Sequence, residues 1–124
     1  FQQDLKDLKD LAKAAEISRS VHAHTQEVIS GYGEVWSSHL LEGLLRKAGK
    51  NVSRLDAREI LFVEHGELGA QVLWDRTTEA FSKHLSQSAS DFVVITGFIA
   101  SDQDGKPTTL KRNGSDYSAG IFSN

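Results

Sequence analysis

The chain has 124 residues, of which 39% are hydrophobic and 25% are charged, and its formal net charge is −3. This length fits one domain or part of one, and this composition is typical of neither a disordered tail nor a nucleic-acid-binding surface. Cysteine is absent, which excludes disulfides and thiolate ligands, and no apolar run reaches the roughly 18 residues that cross a bilayer. We therefore expect a cytoplasmic protein without nucleic-acid or membrane partners.

The N-terminal stretch predicts an amphipathic helix within residues 4–25. Its apolar residues recur every three to four positions among lysines and aspartates, as at Leu5, Leu8, Leu11 and Ala15. Such a helix either packs against the rest of the domain or pairs with a partner helix.

A second helix is predicted after Ser30, where "GYGEVWSSHLLEGLLRKAGKN" carries a broad apolar stripe. Glu34 falls in its first turn, where an acid gains roughly 0.3 to 1 kcal/mol from the helix dipole without any ligand. Arg46 and Lys47 suit its C-terminal end, and Gly49 suits a left-handed cap. Because the stripe is so apolar, we expect this helix to pack against a sheet.

Strands and a third helix are predicted next. "NVSRLDA" offers a short strand, and the stretch from Ile60 to Trp74 indicates extended structure interrupted by glycines. Asp75 suits the N-cap of a helix that ends near Ser88.

A buried strand and a hairpin follow. Phe92 to Ile95 are consecutive apolar residues, as in a parallel strand covered on both faces. Asp104 and Gly105 supply the turn of a β-hairpin near residues 98–110. The order of helices and strands predicts an α/β layered fold.

Two loops lie where ligands bind in open α/β sheets, beyond the ends of strands, and the first of them is "TGFIAS", which follows the buried strand. The more informative is "KRNGSD", before the last predicted helix. Ser115 can cap this helix, whose free N–H groups and dipole favour an anion, and Arg112 adds a planar fork for carboxylate or phosphate. Alternatively, the loop is an ordinary turn in which Asp116 stabilises the first helical turn and Arg112 is a surface charge.

The histidines do not indicate a metal site. His22 and His24 are two residues apart, so on a helix they point to different faces. We expect no metal ligands in this chain.

Three ordered motifs, "GYGEVWSSHLL", "VVITGFIAS" and "TTLKRNGSDYSA", resemble the central part of an aspartokinase, an amino-acid kinase that phosphorylates the side-chain carboxylate of L-aspartate. With Lys111 before the arginine, the third motif is especially similar to the kinase portion of bifunctional aspartokinase/homoserine dehydrogenases. The resemblance covers most of residues 28–124. It implies an α/β fold: a partial amino-acid-kinase-like sandwich with a mostly parallel sheet, flanking helices and the hairpin near residues 98–110.

The resemblance also implies roles for individual residues. Glu34 would receive the ammonium group of L-aspartate, and Arg112 would hold a carboxylate. Ser115 and the Phe98 backbone would complete the pocket. Asp116 resembles the family's acidic residue near the transferred phosphoryl group and is the candidate catalytic residue. Glu34 and Arg112 should then face a common hollow, because the ligand carries both charges.

The implied reaction is the ATP-dependent formation of 4-phospho-L-aspartate, the first step of lysine, threonine and methionine biosynthesis. ATP and Mg²⁺ would serve the full-length parent, with NADP if the parent is bifunctional, and we expect the parent to be a homo-oligomer. An aspartokinase also has a Lys-Phe-Gly-Gly-Thr phosphate clamp and a nucleotide-binding half, and neither occurs in residues 1–124. We therefore expect a partial catalytic domain that is inactive alone and holds no cofactor.

Two other functions remain open from the sequence. The chain is alternatively a segment of another amino-acid kinase that binds a different acid. It is otherwise a non-catalytic interaction module, in which the helix within residues 4–25 binds a partner helix and the loop motifs are incidental.

Overall fold

The computed structural model of the chain describes residues 2–18 and 23–123, with the backbone alone at positions 23 and 24. Within this part the helices and strands follow in the order α1 Gln2–Ser18, α2 Ala23–Lys47, β1 Val52–Leu55, α3 Ala57–Ile60, β2 Phe62–Gly66, β3 Gly69–Val72, α4 Trp74–Ser86, β4 Phe92–Ile95, β5 Ile99–Asp102, β6 Pro107–Thr109 and α5 Gly114–Phe122. None of these helices combines the length and the apolar character needed to cross a bilayer.

The first predicted helix corresponds to α1 and the start of α2. Residues 19–22 lie outside the described part, and so do His22 and the side chain of His24. The contacts of α1 favour the packing interpretation, because the indole Nε1 of Trp36 in α2 donates a hydrogen bond to Asp4 Oδ2 at 3.0 Å. This hydrogen bond also holds the pKa of the Asp4 carboxyl below its usual value.

The tryptophan-bearing helix begins earlier than predicted. Because α2 starts at residue 23, Glu34 lies near its middle and not in its first turn, so the dipole does not account for this acid. The glycines that suggested a helix start lie inside the helix. Gly31 is buried and lets α2 approach β5, since a Cβ atom there would lie 3.1 Å from Ile99 Cγ2.

The C-terminal end of α2 is confirmed, and so is its packing on a sheet. Gly49 has a φ of 78°, and the N–H of Lys50 donates to the carbonyl of Leu45 at 3.0 Å, as expected for a left-handed cap. The helix packs on β6, β1 and β4. The outer part of its apolar stripe is uncovered in the described structure, with the side chains of Leu40, Leu41 and Leu44 67%, 47% and 56% exposed.

The strands form two sheets. One contains β1 and β4 in parallel; the other has the order β3-β2-β5-β6, in which β2 and β5 are parallel and the outer pairs are antiparallel. The α/β class and the hairpin near residues 98–110 are confirmed. The sheets are mixed, with two parallel and two antiparallel pairings in the described part, because the turns that follow β2 and β5 are too short for a parallel crossover.

Two local predictions differ from the structure. Asp75 lies in the first turn of α4, whose N-cap position is Leu73. β4 is not covered on both faces in the described part, since Phe92 is 49% exposed and the other three residues are only partly buried. The main contacts of β4 are with β1 at one edge and with α2 on one face.

The short helix α3 was not predicted, and it fixes the loop that follows β4. Asp56 is its N-cap and accepts two hydrogen bonds from the guanidinium of Arg58, at 2.9 and 2.5 Å. Burial raises the pKa of Asp56, but the hydrogen bonds and charge of Arg58 together outweigh burial and keep the pKa below its usual value. The N–H of Ala57 donates to Thr96 Oγ1 at 2.7 Å, which anchors the end of β4.

The core lies between α2, the β2–β5 pair and α5. Its centre contains Leu61, Val63 and Ile99, each at most 1% exposed. Leu110 and Ile121 belong to the same buried cluster. The turn that joins β6 to α5 therefore rests directly on the core.

Candidate functional site

Strained backbone marks one region of the molecule. Within the described residues, positive φ angles at non-glycine positions occur at Phe98 (66°), Lys111 (62°) and Asn113 (57°). Each such residue costs on the order of 1 to 3 kcal/mol and persists only where its surroundings enforce it, which is common at ligand sites. All three lie in the two loops that the sequence singled out.

The first loop is a tight turn around Phe98. The N–H of Ile99 donates to the carbonyl of Gly97 at 2.7 Å, which closes a three-residue γ-turn with Phe98 at its centre. The N–H of Phe98 donates to Ser118 Oγ at 2.9 Å, and its carbonyl accepts from the N–H of Leu110 at 2.8 Å. The Phe98 backbone, which the resemblance places in the pocket, thus uses its only donor inside the protein.

The second loop leads into α5 earlier than predicted, and the N-cap position is shifted by two residues from Ser115. Asn113 holds the N-cap position in a left-handed conformation without a side-chain capping bond, so Ser115 lies inside the first turn and is not the cap. A glycine is required at Gly114, because a Cβ atom there would lie 2.7 Å from Phe98 Cδ2 and 3.0 Å from Leu110 Cβ. The two loops are therefore packed against each other.

Ser118 joins the two loops and was not predicted. Its side chain is 3% exposed, and its hydroxyl donates to the carbonyl of Gly114 at 2.9 Å while it accepts from the N–H of Phe98. The sequence offered little signal for this role, since a serine four residues after a glycine is common on helices.

Arg112 lines two open hollows. The first, of about 440 Å³, is also lined by Phe98 and Lys111 and by Glu27 of α2. The second, of about 660 Å³, contains Asp116 as well as Lys111 and Arg112. Arg112 is exposed, and within the described residues its guanidinium has no hydrogen-bond or ion-pair partner. A cation is thus available to an anionic ligand at the boundary of the two hollows.

Glu34 lines a third and smaller hollow, of about 160 Å³, together with Thr96 and Gly97. The common hollow expected for Glu34 and Arg112 is therefore not a single cavity in this structure. The linings of the two hollows include consecutive residues, since Gly97 lines that of Glu34 and Phe98 lines that of Arg112.

Ser115 and Asp116 both lie in the first turn of α5. The Ser115 side chain packs on Gly97, where a Cβ atom would lie 3.5 Å from Ser115 Oγ. Asp116 lies in the exposed first turn of α5, where the helix dipole favours a carboxylate. In the described part of the chain, no group of three or more His, Asp or Glu side chains is placed to hold a metal ion.

Glu27 is a further residue that the sequence analysis missed. It forms an ion pair with Lys111 in the first hollow. The sequence contained a signal for this residue, because Glu27 precedes Glu34 by seven positions and residues with that spacing lie on one face of a helix.

Comparison with known proteins identifies the class. The profile of the amino acid kinase family matches residues 3–124. The chain therefore belongs to the amino acid kinase family.

Within this family the relatives are aspartokinases. The chain is 38% identical over 119 residues to bifunctional aspartokinase/homoserine dehydrogenase 2 of Escherichia coli (strain K12), covering 96% of the chain and 14% of that protein. It is 32% identical over 126 residues to chloroplastic bifunctional aspartokinase/homoserine dehydrogenase 1 of Arabidopsis thaliana, covering 99% of the chain and 14% of that protein. The chain thus spans about one seventh of these relatives.

A solved structure shows the same fold. The crystal structure of E. coli aspartokinase III in complex with aspartate and ADP matches 98% of this chain and 27% of its own, with a TM-score of 0.82 and 25% sequence identity. The resemblance drawn from the three motifs is confirmed: the chain corresponds to a segment of an aspartokinase domain.

Removing the Ser118 hydroxyl tests whether it holds the two loops together. In Ser118→Ala the buried N–H of Phe98 loses its acceptor, and we expect a loss of about 1 to 3 kcal/mol in stability. Hydrogen exchange at the Phe98 amide should accelerate strongly. Ser123→Ala is the matched control, because Ser123 is an exposed residue of the same region that, among the described residues, bonds only to the carbonyl of Ala119. Unchanged protection of the Phe98 amide in Ser118→Ala would contradict this role.

Proposed function

We propose that the chain is the L-aspartate-binding segment of an aspartate kinase, which transfers the γ-phosphoryl group of ATP to the side-chain carboxylate of L-aspartate. The observation that carries the proposal is the position of Arg112. Its guanidinium has no partner in the described structure, and it lies between a hollow beside the Phe98 turn and a hollow that contains Asp116. The structural likeness to an aspartokinase solved with aspartate and ADP supports it.

The charges of the site suit a zwitterionic dicarboxylate. Arg112 offers a planar fork that can bind one carboxylate through two hydrogen bonds. Glu34 offers a carboxylate for the ammonium group, and we propose that the ligand lies across Gly97, which lines the hollow of Glu34 and directly precedes Phe98 in the hollow of Arg112. Gly97 has no side chain to block this junction. Ser115, which packs on Gly97, then lies beside the bound ligand.

The reaction requires positioning and charge neutralisation more than covalent chemistry. An oxygen of the substrate carboxylate attacks the γ-phosphorus of ATP, the bond to the bridging oxygen breaks, and ADP leaves with the electron pair. Asp116 would act near the transferred group by organising the reactants. Mg²⁺ supplies charge neutralisation when it is bound with ATP. Asp116 is the one carboxylate among the described residues that line the second hollow, and these residues contain no metal-binding cluster, so the other ligands would come from the nucleotide and other parts of the protein.

We further propose that the phosphate clamp and the nucleotide-binding half lie outside residues 1–124, so that this segment alone is inactive. In a bifunctional parent a homoserine dehydrogenase unit would use NADP. We also propose that the full-length parent is a homo-oligomer in the cytoplasm and acts in lysine, threonine and methionine biosynthesis. The bifunctional relatives support the fusion.

Ligand preference separates this function from another amino-acid kinase. In calorimetry on the full-length protein that contains this chain, L-aspartate should bind in preference to L-glutamate and N-acetyl-L-glutamate, as expected from the likeness of the chain to aspartokinases. The opposite order would favour the alternative kinase. Binding of none of the three would favour the interaction module, and removal of α1 should then abolish partner binding.

Arg112→Ala tests the carboxylate site. We expect kcat/KM for L-aspartate to fall about 10- to 150-fold, the size of one lost charge-assisted hydrogen bond, while the KM for ATP changes little. Arg46→Ala is the control, because Arg46 pairs with Glu42 and lines neither hollow of Arg112. Unchanged aspartate kinetics in Arg112→Ala would refute the role.

Glu34→Gln tests the ammonium site, since it keeps the shape and removes the charge. We expect KM for L-aspartate to rise about 10-fold or more, because a charged partner is lost. Succinate lacks the ammonium group, so its inhibition constant should not increase. Equal weakening of both ligands would show that Glu34 supports the fold and not the ammonium group.

A further inference from the structure

Four elements meet in a chain of polar contacts beside Arg112. Glu27 of α2 pairs with Lys111 Nζ through its Oε1 atom, and its Oε2 atom accepts a hydrogen bond from Thr108 Oγ1 of β6 at 3.0 Å. The same Thr108 oxygen lies 2.9 Å from His65 Nε2 of β2. Both carboxylate oxygens of Glu27 are therefore held.

The direction of these hydrogen bonds follows from the number of protons. A threonine hydroxyl has one proton, and an ionised carboxylate only accepts, so Thr108 donates its proton to Glu27. His65 Nε2 must then carry a proton and donate it to Thr108 Oγ1. His65 therefore donates to Thr108, and Thr108 donates to Glu27. These two hydrogen bonds fix the orientation of the Glu27 carboxylate.

Burial distinguishes this ion pair from an ordinary surface pair. The Glu27 side chain is 18% exposed and Thr108 is 7% exposed, whereas the Lys111 side chain is 51% exposed. The largely buried carboxylate of Glu27, with a partner at each oxygen, thus faces the more exposed side chain of Lys111. Lys111 also has the strained φ of 62° and directly precedes Arg112. Holding its ammonium group constrains the backbone that aims Arg112.

The pair also sets the charge of the hollow. Lys111 and Arg112 both line it, so two cations would face a ligand there without Glu27. With Lys111 neutralised by Glu27, one guanidinium remains available in the described structure. One positive charge matches one carboxylate, whereas two positive charges match a dianion such as phosphate.

We propose that Glu27 is a positioning and specificity-determining residue of this site: it holds and neutralises Lys111 so that Arg112 alone receives the substrate carboxylate. Thr108 and His65 keep Glu27 in that orientation. This inference rests on the proposed aspartate-binding function, which it deepens by stating how the site selects a monocarboxylate group over a dianion.

The test uses the full-length protein that contains this chain, with inorganic phosphate as the competing probe. In Glu27→Gln we expect KM for L-aspartate to rise about 5- to 20-fold with kcat changed less than about twofold. The inhibition constant for phosphate should fall about 10-fold, because a second cation is released. A purely structural role would weaken both ligands. In the double variant Glu27→Gln with Lys111→Met, phosphate inhibition should return to the wild-type level.

Glu42→Gln is the matched control. Glu42 lies on the same helix, its side chain is 17% exposed, and it pairs with Arg46 at 2.8 Å away from the hollow of Arg112. We expect this variant to keep wild-type kinetics and phosphate inhibition. If Glu27→Gln behaves like Glu42→Gln, the inference is wrong.

Two further measurements test the role of Glu27 if the Glu27→Gln variant does not fold or if the wild-type protein does not use L-aspartate. If Glu27→Gln fails to fold, Thr108→Val removes the hydroxyl at nearly constant shape and should shift aspartate KM and phosphate inhibition in the same directions. Nitrogen-15 NMR should show His65 protonated at Nε2, with this preference lost in Thr108→Val. If the wild-type protein does not use L-aspartate, the proposed function fails; phosphate calorimetry and the His65 spectrum still test the role of Glu27, and unchanged values in the variants would overturn it.

Discussion

The close approach of Gly114 to the ring of Phe98 is the constraint on which the site depends. Because no side chain fits between them, the start of α5 rests directly on the γ-turn that follows β4. The Ser118 hydroxyl accepts a hydrogen bond from the N–H of Phe98, and Leu110, which also lies close to Gly114, belongs to the core. The turn between β6 and α5 is thereby forced into left-handed backbone angles, and Arg112 projects from it.

The charged side chains near this turn are not all paired with one another. Lys111 is paired with Glu27, whereas Arg112 lacks a partner in the described structure and lies where two hollows meet. Glu34 lines a hollow of its own, to which Gly97 also belongs. In the proposed function, a ligand with a carboxylate and an ammonium group reaches both residues by lying across that glycine.

Local patterns predicted the elements well. Gly49 ended its helix as a left-handed cap, and the Asp104–Gly105 turn produced the expected hairpin, because both signals depend on neighbouring residues alone. The position of Glu34 was missed since Gly31 looked like a helix breaker. It is a packing residue against Ile99, and no local signal reveals that contact.

The site was predicted less completely for the same reason. Arg112 and Asp116 were predicted from a motif, and that prediction still awaits a test, whereas Ser115 was expected at the N-cap position that Asn113 holds. The bond from Thr108 to Glu27 joins residues 81 positions apart, and sequence spacing does not reveal it. Likewise, four consecutive apolar residues predicted a fully covered strand, whereas β4 depends on cover that the described residues only partly provide.

A crystal structure of the full-length protein with L-aspartate bound would test the central claim most directly. Our account predicts one substrate carboxylate within about 3 Å of the Arg112 guanidinium, with the ammonium group on the Glu34 side of Gly97. L-aspartate bound elsewhere, with Arg112 turned to solvent, would contradict it.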